Sequence, residues 1–197
     1  MFIQIIQARC TREQECRDMG ERWLRDLAPG ATGWLGGTYG FTDDGQFVAV
    51  VRFESRDAAA ANAARPEQDA WWADMTQLFD GEPEFHESED VTLMMGGGSD
   101  EAHFVQMIRG KVDDADALRS MLLDTEQLHE MRPDILGGIL AIEPDGTFTE
   151  TISFRDEESA RKGEQVEPPA EVAAELSYAM QGATYYDLKH PWFESAH

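Results

Sequence analysis

The sequence predicts an α+β fold made of one βαββαβ unit repeated in tandem. Three observations predict it. Segments recur in fixed order at an offset of 101 or 102 residues, Asp-Gly pairs sit between β-rich runs in both halves, and a glycine-rich stretch lies at the midpoint. Internal similarity of this kind sets the architecture before any single element does.

The recurrences are specific. Phe2-Ile3-Gln4-Ile5-Ile6 returns as Phe104-Val105-Gln106-Met107-Ile108, and Leu35-Gly36-Gly37 returns as Leu136-Gly137-Gly138. Asp44-Gly45, Phe47, Phe53 and Gly81 return as Asp145-Gly146, Phe148, Phe154 and Gly182. The units are expected at 1–95 and 102–197, joined by a flexible linker at 96–101 that contains Gly96-Gly97-Gly98-Ser99-Asp100.

Each unit opens with a strand, at 2–9 and 103–111. A helix follows, with Thr11 and Gln14 in a capping-box pattern and a stripe of Cys16, Met19, Trp23 and Leu27 at helical spacing. Its counterpart is Leu118, Met121, Leu122, Thr125 and Leu128. Pro29-Gly30 and Arg132-Pro133 end these helices. Strands at 33–41 and 46–54, and at 134–142 and 147–154, form hairpins. The Asp-Gly between them suits a type I′ turn. A second helical region is broken by Pro66 in one copy and Pro168-Pro169 in the other, each fitting the first turn of a new helix. Its stripe is Trp71, Met75, Leu78 and Phe79, matched by Val172, Leu176, Ala179 and Met180. Strands at 83–94 and 183–190 close the units.

Composition bounds the function. The formal charge is −23, from 39 acidic and 16 basic residues. Such a surface repels phosphate backbones and anionic membranes, so neither nucleic acid nor a lipid surface is an expected partner. No run is long enough to span a bilayer, and the opening segment lacks a basic leader, so a cytoplasmic protein is expected. Cys10 and Cys16 match no metal spacing, and no metal site is expected. A four-stranded sheet with helices on one face must cover its other face. The sequence therefore implies two sheets packed on each other as an internal pseudo-dimer, with further homodimerisation left open.

This element order, with its opening strand, Asp-Gly hairpin and aromatic second helix bearing Trp71-Trp72, resembles the dimeric α+β barrel superfamily. Within it, it is similar to antibiotic biosynthesis monooxygenase-like (ABM) domains, here as two ferredoxin-like units. The resemblance covers nearly the whole chain, twice. It implies a ligand pocket between sheet and helices. The superfamily also holds haem-degrading enzymes, haem peroxidases, isomerases and dehydratases, so fold alone does not name a reaction. Cofactor-free monooxygenases of the group carry an Asn on the first strand, a Trp on the second helix and a His after it. Here the first strand has Gln4 and Gln7, the second helix has Trp71 and Trp72, and His86 follows.

The expected catalytic set is His86, Trp72 and Gln4. The expected pocket residues are Gln7, Trp71, Gln106 and Arg109. Six of them also have a plain structural role: core packing for Trp71, a partly buried aromatic for Trp72, an exposed site in an acidic strand for His86, hydrogen-bonded burial for Gln4 and Gln106, and a solvated strand end for Arg109. The resemblance implies a monooxygenase for a small aromatic or apolar molecule, with either no cofactor or haem. Two alternatives remain open. One is a non-catalytic module that binds a small ligand. The other is a scaffold acting through a protein partner, with the tail His190-Pro191-Trp192-Phe193 as its candidate patch.

Overall fold

The computed structural model describes residues 1–123, 130, 132–166, 177 and 180–196. The expected stripe positions Thr125, Leu128, Val172, Leu176 and Ala179, the pair Pro168-Pro169, and His129 and His197 lie outside these residues. Two compact units are formed: Met1–Glu89 with Trp192–His197, and Asp90–Pro191.

The first unit contains β1 (Phe2–Arg9), α1 (Glu13–Asp26), β2 (Trp34–Phe41), β3 (Gln46–Phe53), α2 (Arg56–Ala63), α3 (Pro66–Thr76) and β4 (Glu84–Ser88). Its strands run in the order β4-β1-β3-β2, all antiparallel. Alternation along the strands sends Gln4 and Ile6 of β1, with Phe47, Ala49, Val51 and Phe53 of β3, to one face. The α1 stripe packs there, with Cys16, Trp23 and Leu27 buried. The second unit contains β5 (Asp90–Met94), β6 (Phe104–Lys111), α4 (Ala115–Leu123), β7 (Ile135–Ile142), β8 (Thr147–Phe154), α5 (Glu157–Gly163) and β9 (Thr184–Ser195), whose last residues belong to the first unit. Here the order is β9-β6-β8-β7-β5. Leu118, Leu140, Phe148 and Phe154 are at its core.

Four local expectations are corrected. The capping box at Thr11 does not form. The N-cap residue of α1 is Arg12, without a side-chain cap, and Gln14 donates to Asp18 one turn on. The hairpins are not type I′. Each is a three-residue loop closed by Thr42 N–H to Gln46 O or Glu143 N–H to Thr147 O. Only the glycine, Gly45 or Gly146, takes positive φ, at 83° in both, the three-residue geometry with a glycine bulge. The strand expected at 83–94 is two strands. β4 pairs with β1, and after Glu89 the chain continues as β5, which pairs with β7. The compact units therefore divide at Glu89/Asp90, ahead of the glycine-rich segment. Likewise the closing strand expected at 183–190 runs on to Ser195, and its end lies beside β2.

The glycine pairs that mark the repeat have a common cause. β2 and β7 each carry a bulge, at Trp34/Gly36 and Ile135/Gly137. A Cβ on Gly36 would fall on the carbonyl oxygen of Glu194, and one on Gly137 on that of Gly97. Both glycines permit another stretch of backbone to pass close by.

Caps also recur with changed chemistry. Ser55 Oγ accepts from the Ala58 N–H at the start of α2, at 3.1 Å. Asp156 Oδ1 accepts from the Ser159 N–H at the start of α5, at 2.7 Å. Ser55→Ala should lower stability by about 1 kcal/mol, read as a lower urea midpoint with unchanged slope. An unchanged midpoint would show that the cap is not used.

Burial has one electrostatic consequence in the second unit. Glu150 of β8 stands where the first copy has Ala49, and it is 4% exposed. Burial pushes its carboxyl up to about 7, with the Arg132 guanidinium opposing. The folded chain thus keeps a proton that the unfolded chain releases near its ordinary value of 4.5. The stabilising contribution of this group is complete below that value. It declines as pH rises toward about 7 and stays lost above. Glu150→Gln should therefore raise the melting temperature at pH 8 and flatten this part of the pH profile. A variant melting below the parent at pH 8 would contradict the assignment.

Candidate functional site

The helix-side face of the first unit bears a cavity of about 260 Å³. All five tryptophans of the chain line it: Trp23, Trp34, Trp71, Trp72 and Trp192. Tyr39, Phe47, Phe53 and Phe85 complete an aromatic wall, while Gln4, Asn62, Gln68, Asp69 and Glu194 supply polar edges.

The wall is built by interlocking rings. Trp23 from α1 meets Trp34 from β2 edge-on at 5.0 Å between centroids, and Trp71 from α3 at 6.5 Å. Trp72 sits between Trp71, Phe79 and Phe85, at 6.1, 6.0 and 5.6 Å. On the far side Trp192 stacks on Tyr39 at 5.4 Å, and the Arg17 guanidinium lies over its ring at 4.1 Å. Offset and edge-on aromatic pairs add about 0.5–1.5 kcal/mol each beyond the area they bury. Two indole N–H groups are used to fix the helices: Trp71 donates to the Met19 carbonyl at 2.9 Å, and Trp23 donates to Gln68 Oε1 at 2.6 Å. The Trp34 N–H is buried without a partner among the described residues.

The expected site residues divide. Gln4, Trp71 and Trp72 line the cavity together. Gln4 is held by donating to Glu87 Oε1 at 3.0 Å, and Glu87 in turn pairs with Arg56. His86 does not line it. Its neighbours Phe85 and Glu87 pair with Ile6 and Gln4, so alternation turns His86, opposite Ile5, to the other face of the sheet. There its Nε2 lies 3.8 Å from Glu84. Gln7 is buried on that same other face. Gln106 and Arg109 belong to the second unit. Gln106 donates to Asp187 and Glu164, and Arg109 holds Glu143 at 2.7 Å and Thr149. The tail is no free patch at Trp192, whose ring packs within the first unit.

Reading the sequence alone misses Trp23, Trp34, Tyr39, Trp192 and Glu194 as cavity residues. The available signal was parity: Gly37 and Tyr39 share a strand face, and a glycine two residues from a tyrosine leaves room for its ring.

Haem does not fit this cavity. Its volume lies below the roughly 300–1,000 Å³ typical of pockets for drug-sized ligands. No histidine lines it among the described residues. Its thiol, Cys16, and its phenol, Tyr39, are both held protonated by burial, which raises their pKa values. Among the described residues there is no group of three or more His, Cys, Asp or Glu placed to hold a metal ion. No helix among them is long and apolar enough to cross a membrane.

The sequence matches no protein-family model and no curated protein. Solved structures do match. A candidate monooxygenase from Fusobacterium nucleatum superposes with a TM-score of 0.75 at 11% identity, covering 98% of this chain and 94% of its own. The fold is that of the tandem ABM-like proteins. An anthrone oxidase-like protein gives 0.66 at 9% identity, covering 99% and 93%. A ferredoxin-fold protein related to antibiotic biosynthesis monooxygenases, from Listeria monocytogenes, gives 0.54 at 10%, covering 96% and 94%. At such identities the ABM-like likeness is one of fold.

Proposed function

We propose that the first unit binds a small aromatic molecule and oxygenates it without a cofactor. The observation that carries this reading is the cavity walled by all five tryptophans. The likeness in fold to candidate monooxygenases and to an anthrone oxidase-like protein supports the reaction class. An activated methylene between aromatic rings can supply its own electrons: R–CH2–R′ + O2 gives R–CO–R′ + H2O, which balances with no added reductant. The protein's part is to hold the substrate away from water and to take up the first proton. Asp69 and Glu194 are the carboxylates at the cavity edge. A dry aromatic wall protects the carbanion from reprotonation before oxygen arrives. The two cysteines are free thiols, which suits a reducing, cytoplasmic setting.

A second reading, a binding module without catalysis, is favoured by the absence of any histidine from the described lining and by the engagement of Gln4 with Glu87. Oxygen uptake separates the two. Purified protein given a fused-ring aromatic with an activated methylene should consume one O2 per ketone formed, and Trp72→Ala should slow this at least tenfold. Saturable binding with uptake no faster than the uncatalysed rate would leave the binding module.

A further inference from the structure

We propose that Cys10 and Cys16 are a redox modification site: hydrogen peroxide entering through the cavity oxidises Cys16, and Cys10 then closes a disulfide with it. The inference concerns the two thiols alone and holds whatever molecule the cavity binds.

The two sulfur atoms lie 3.0 Å apart, and both thiols are free and buried. A disulfide bond is about 2.05 Å long, so an approach of about 1 Å completes it. Backbone hydrogen bonds hold both partners in place. Cys10 directly follows β1, and its N–H donates to the Gly45 carbonyl at 2.8 Å. Cys16 lies in the first turn of α1, and its N–H donates to the Arg12 carbonyl at 3.1 Å. The second unit shows that the fold does not need sulfur at these positions. Val112 makes the matching hydrogen bond, to the Gly146 carbonyl at 2.9 Å, and Leu118 stands where Cys16 does. Both are buried in the core of that unit. An apolar contact suffices for packing, so the paired thiols add a chemistry that packing does not require.

The two sulfurs are not equivalent. Cys16 lines the cavity and Cys10 does not. Peroxide is little larger than water, so Cys16 is the sulfur it meets. Its sulfur attacks one peroxide oxygen, the O–O bond breaks, and Cys16–SH + H2O2 gives Cys16–SOH + H2O. Cys10 then attacks the Cys16 sulfur. The S–O bond breaks, and hydroxide leaves as water with the Cys10 proton. In sum the two thiols lose two electrons and the peroxide gains them, giving one disulfide and two waters. Burial, reinforced by the hydrogen bond with Cys10, keeps Cys16 protonated against the pull of the Arg12 guanidinium. The thiolate is the reactive form, so the pair answers sustained peroxide and passes over a brief pulse.

The test is a time course of the folded, full chain in hydrogen peroxide, quenched with a thiol-blocking reagent and read by tryptic mass spectrometry. Cleavage after Arg9, Arg12 and Arg17 separates the two cysteines. The native protein should yield the peptides Cys10–Arg12 and Glu13–Arg17 joined by a disulfide, with both thiols lost together. Cys10→Val, which borrows the residue of the second unit, should leave Cys16 as a sulfenic acid that dimedone traps. Cys16→Leu should leave Cys10 a thiol over the same time. Ala49→Phe, which fills the cavity, should slow disulfide formation roughly tenfold by closing the path to Cys16. Melting curves confirm that each variant is folded. Two thiols that persist in native protein overturn the inference. So does a Cys10 that oxidises in Cys16→Leu as fast as Cys16 does in Cys10→Val, because the cavity would then not be the route. None of these results bears on whether the cavity takes an aromatic, which ligand titration decides separately.

Discussion

Gly36→Ala is expected to unseat the C-terminal strand end and with it the aromatic cavity. Gly36 has φ +134° at the bulge of β2, a region that side-chain-bearing residues avoid. Its absent Cβ would fall on the Glu194 carbonyl and lie 3.1 Å from Ser195 Cα. Both neighbours are backbone and cannot rotate away. The conformation alone costs about 1–3 kcal/mol, and the strand must move as well. Trp192 and Glu194 ride on that strand, so the variant should lose the ring stacked on Tyr39 and one polar edge of the cavity. Aromatic ligand binding should fall at least tenfold. Gly137→Ala is the matched control. Its Cβ would meet the Gly97 carbonyl within the second unit, so it should lower stability and spare ligand binding. Native affinity in Gly36→Ala would contradict the role given to the strand end.

Trp23→Ala is expected to cost about 3–5 kcal/mol, the range for deleting a large buried aromatic. Trp23 joins three elements: its ring meets Trp34 of β2 and Trp71 of α3, and its N–H fixes Gln68 at the start of α3. Removal merges its volume with the existing cavity, so the surrounding rings lose a neighbour and cannot collapse without moving α3. The check is chemical denaturation. The midpoint should drop sharply, while Trp23→Phe, which keeps a ring and loses only the donor, should cost markedly less. Equal costs for the two would place the energy in the hydrogen bond to Gln68.

The fold class, the element order and the three helices of the first unit were legible, because each depends on periodicity and turn residues within a few positions. Pro66 did start α3, and Trp71, Met75, Leu78 and Phe79 did turn inward. The division of 84–94 into β4 and β5 was not legible. An extended segment reads alike whichever strand accepts its hydrogen bonds, and the partners, β1 and β7, lie far off in sequence. The turn type failed for a related reason: Asp-Gly admits several loops, and the residues before it decide which. For the candidate site, helix periodicity delivered Trp71 and Trp72, and the opening strand delivered Gln4. His86 failed on parity, since a single residue along β4 separates the cavity face from its reverse. Trp192 sits 121 positions after Trp71, and only the folded chain brings them to one wall.

The most direct test of the aromatic cavity is a titration of intrinsic tryptophan fluorescence with nitrobenzene, a neutral aromatic quencher. All five indoles line the same space, so one bound molecule reaches all of them. Saturable quenching of most of the emission at one equivalent per chain, abolished by filling the space with Ala49→Phe, is the predicted result. Quenching that rises linearly without saturation, or saturates identically in Ala49→Phe, would contradict the account.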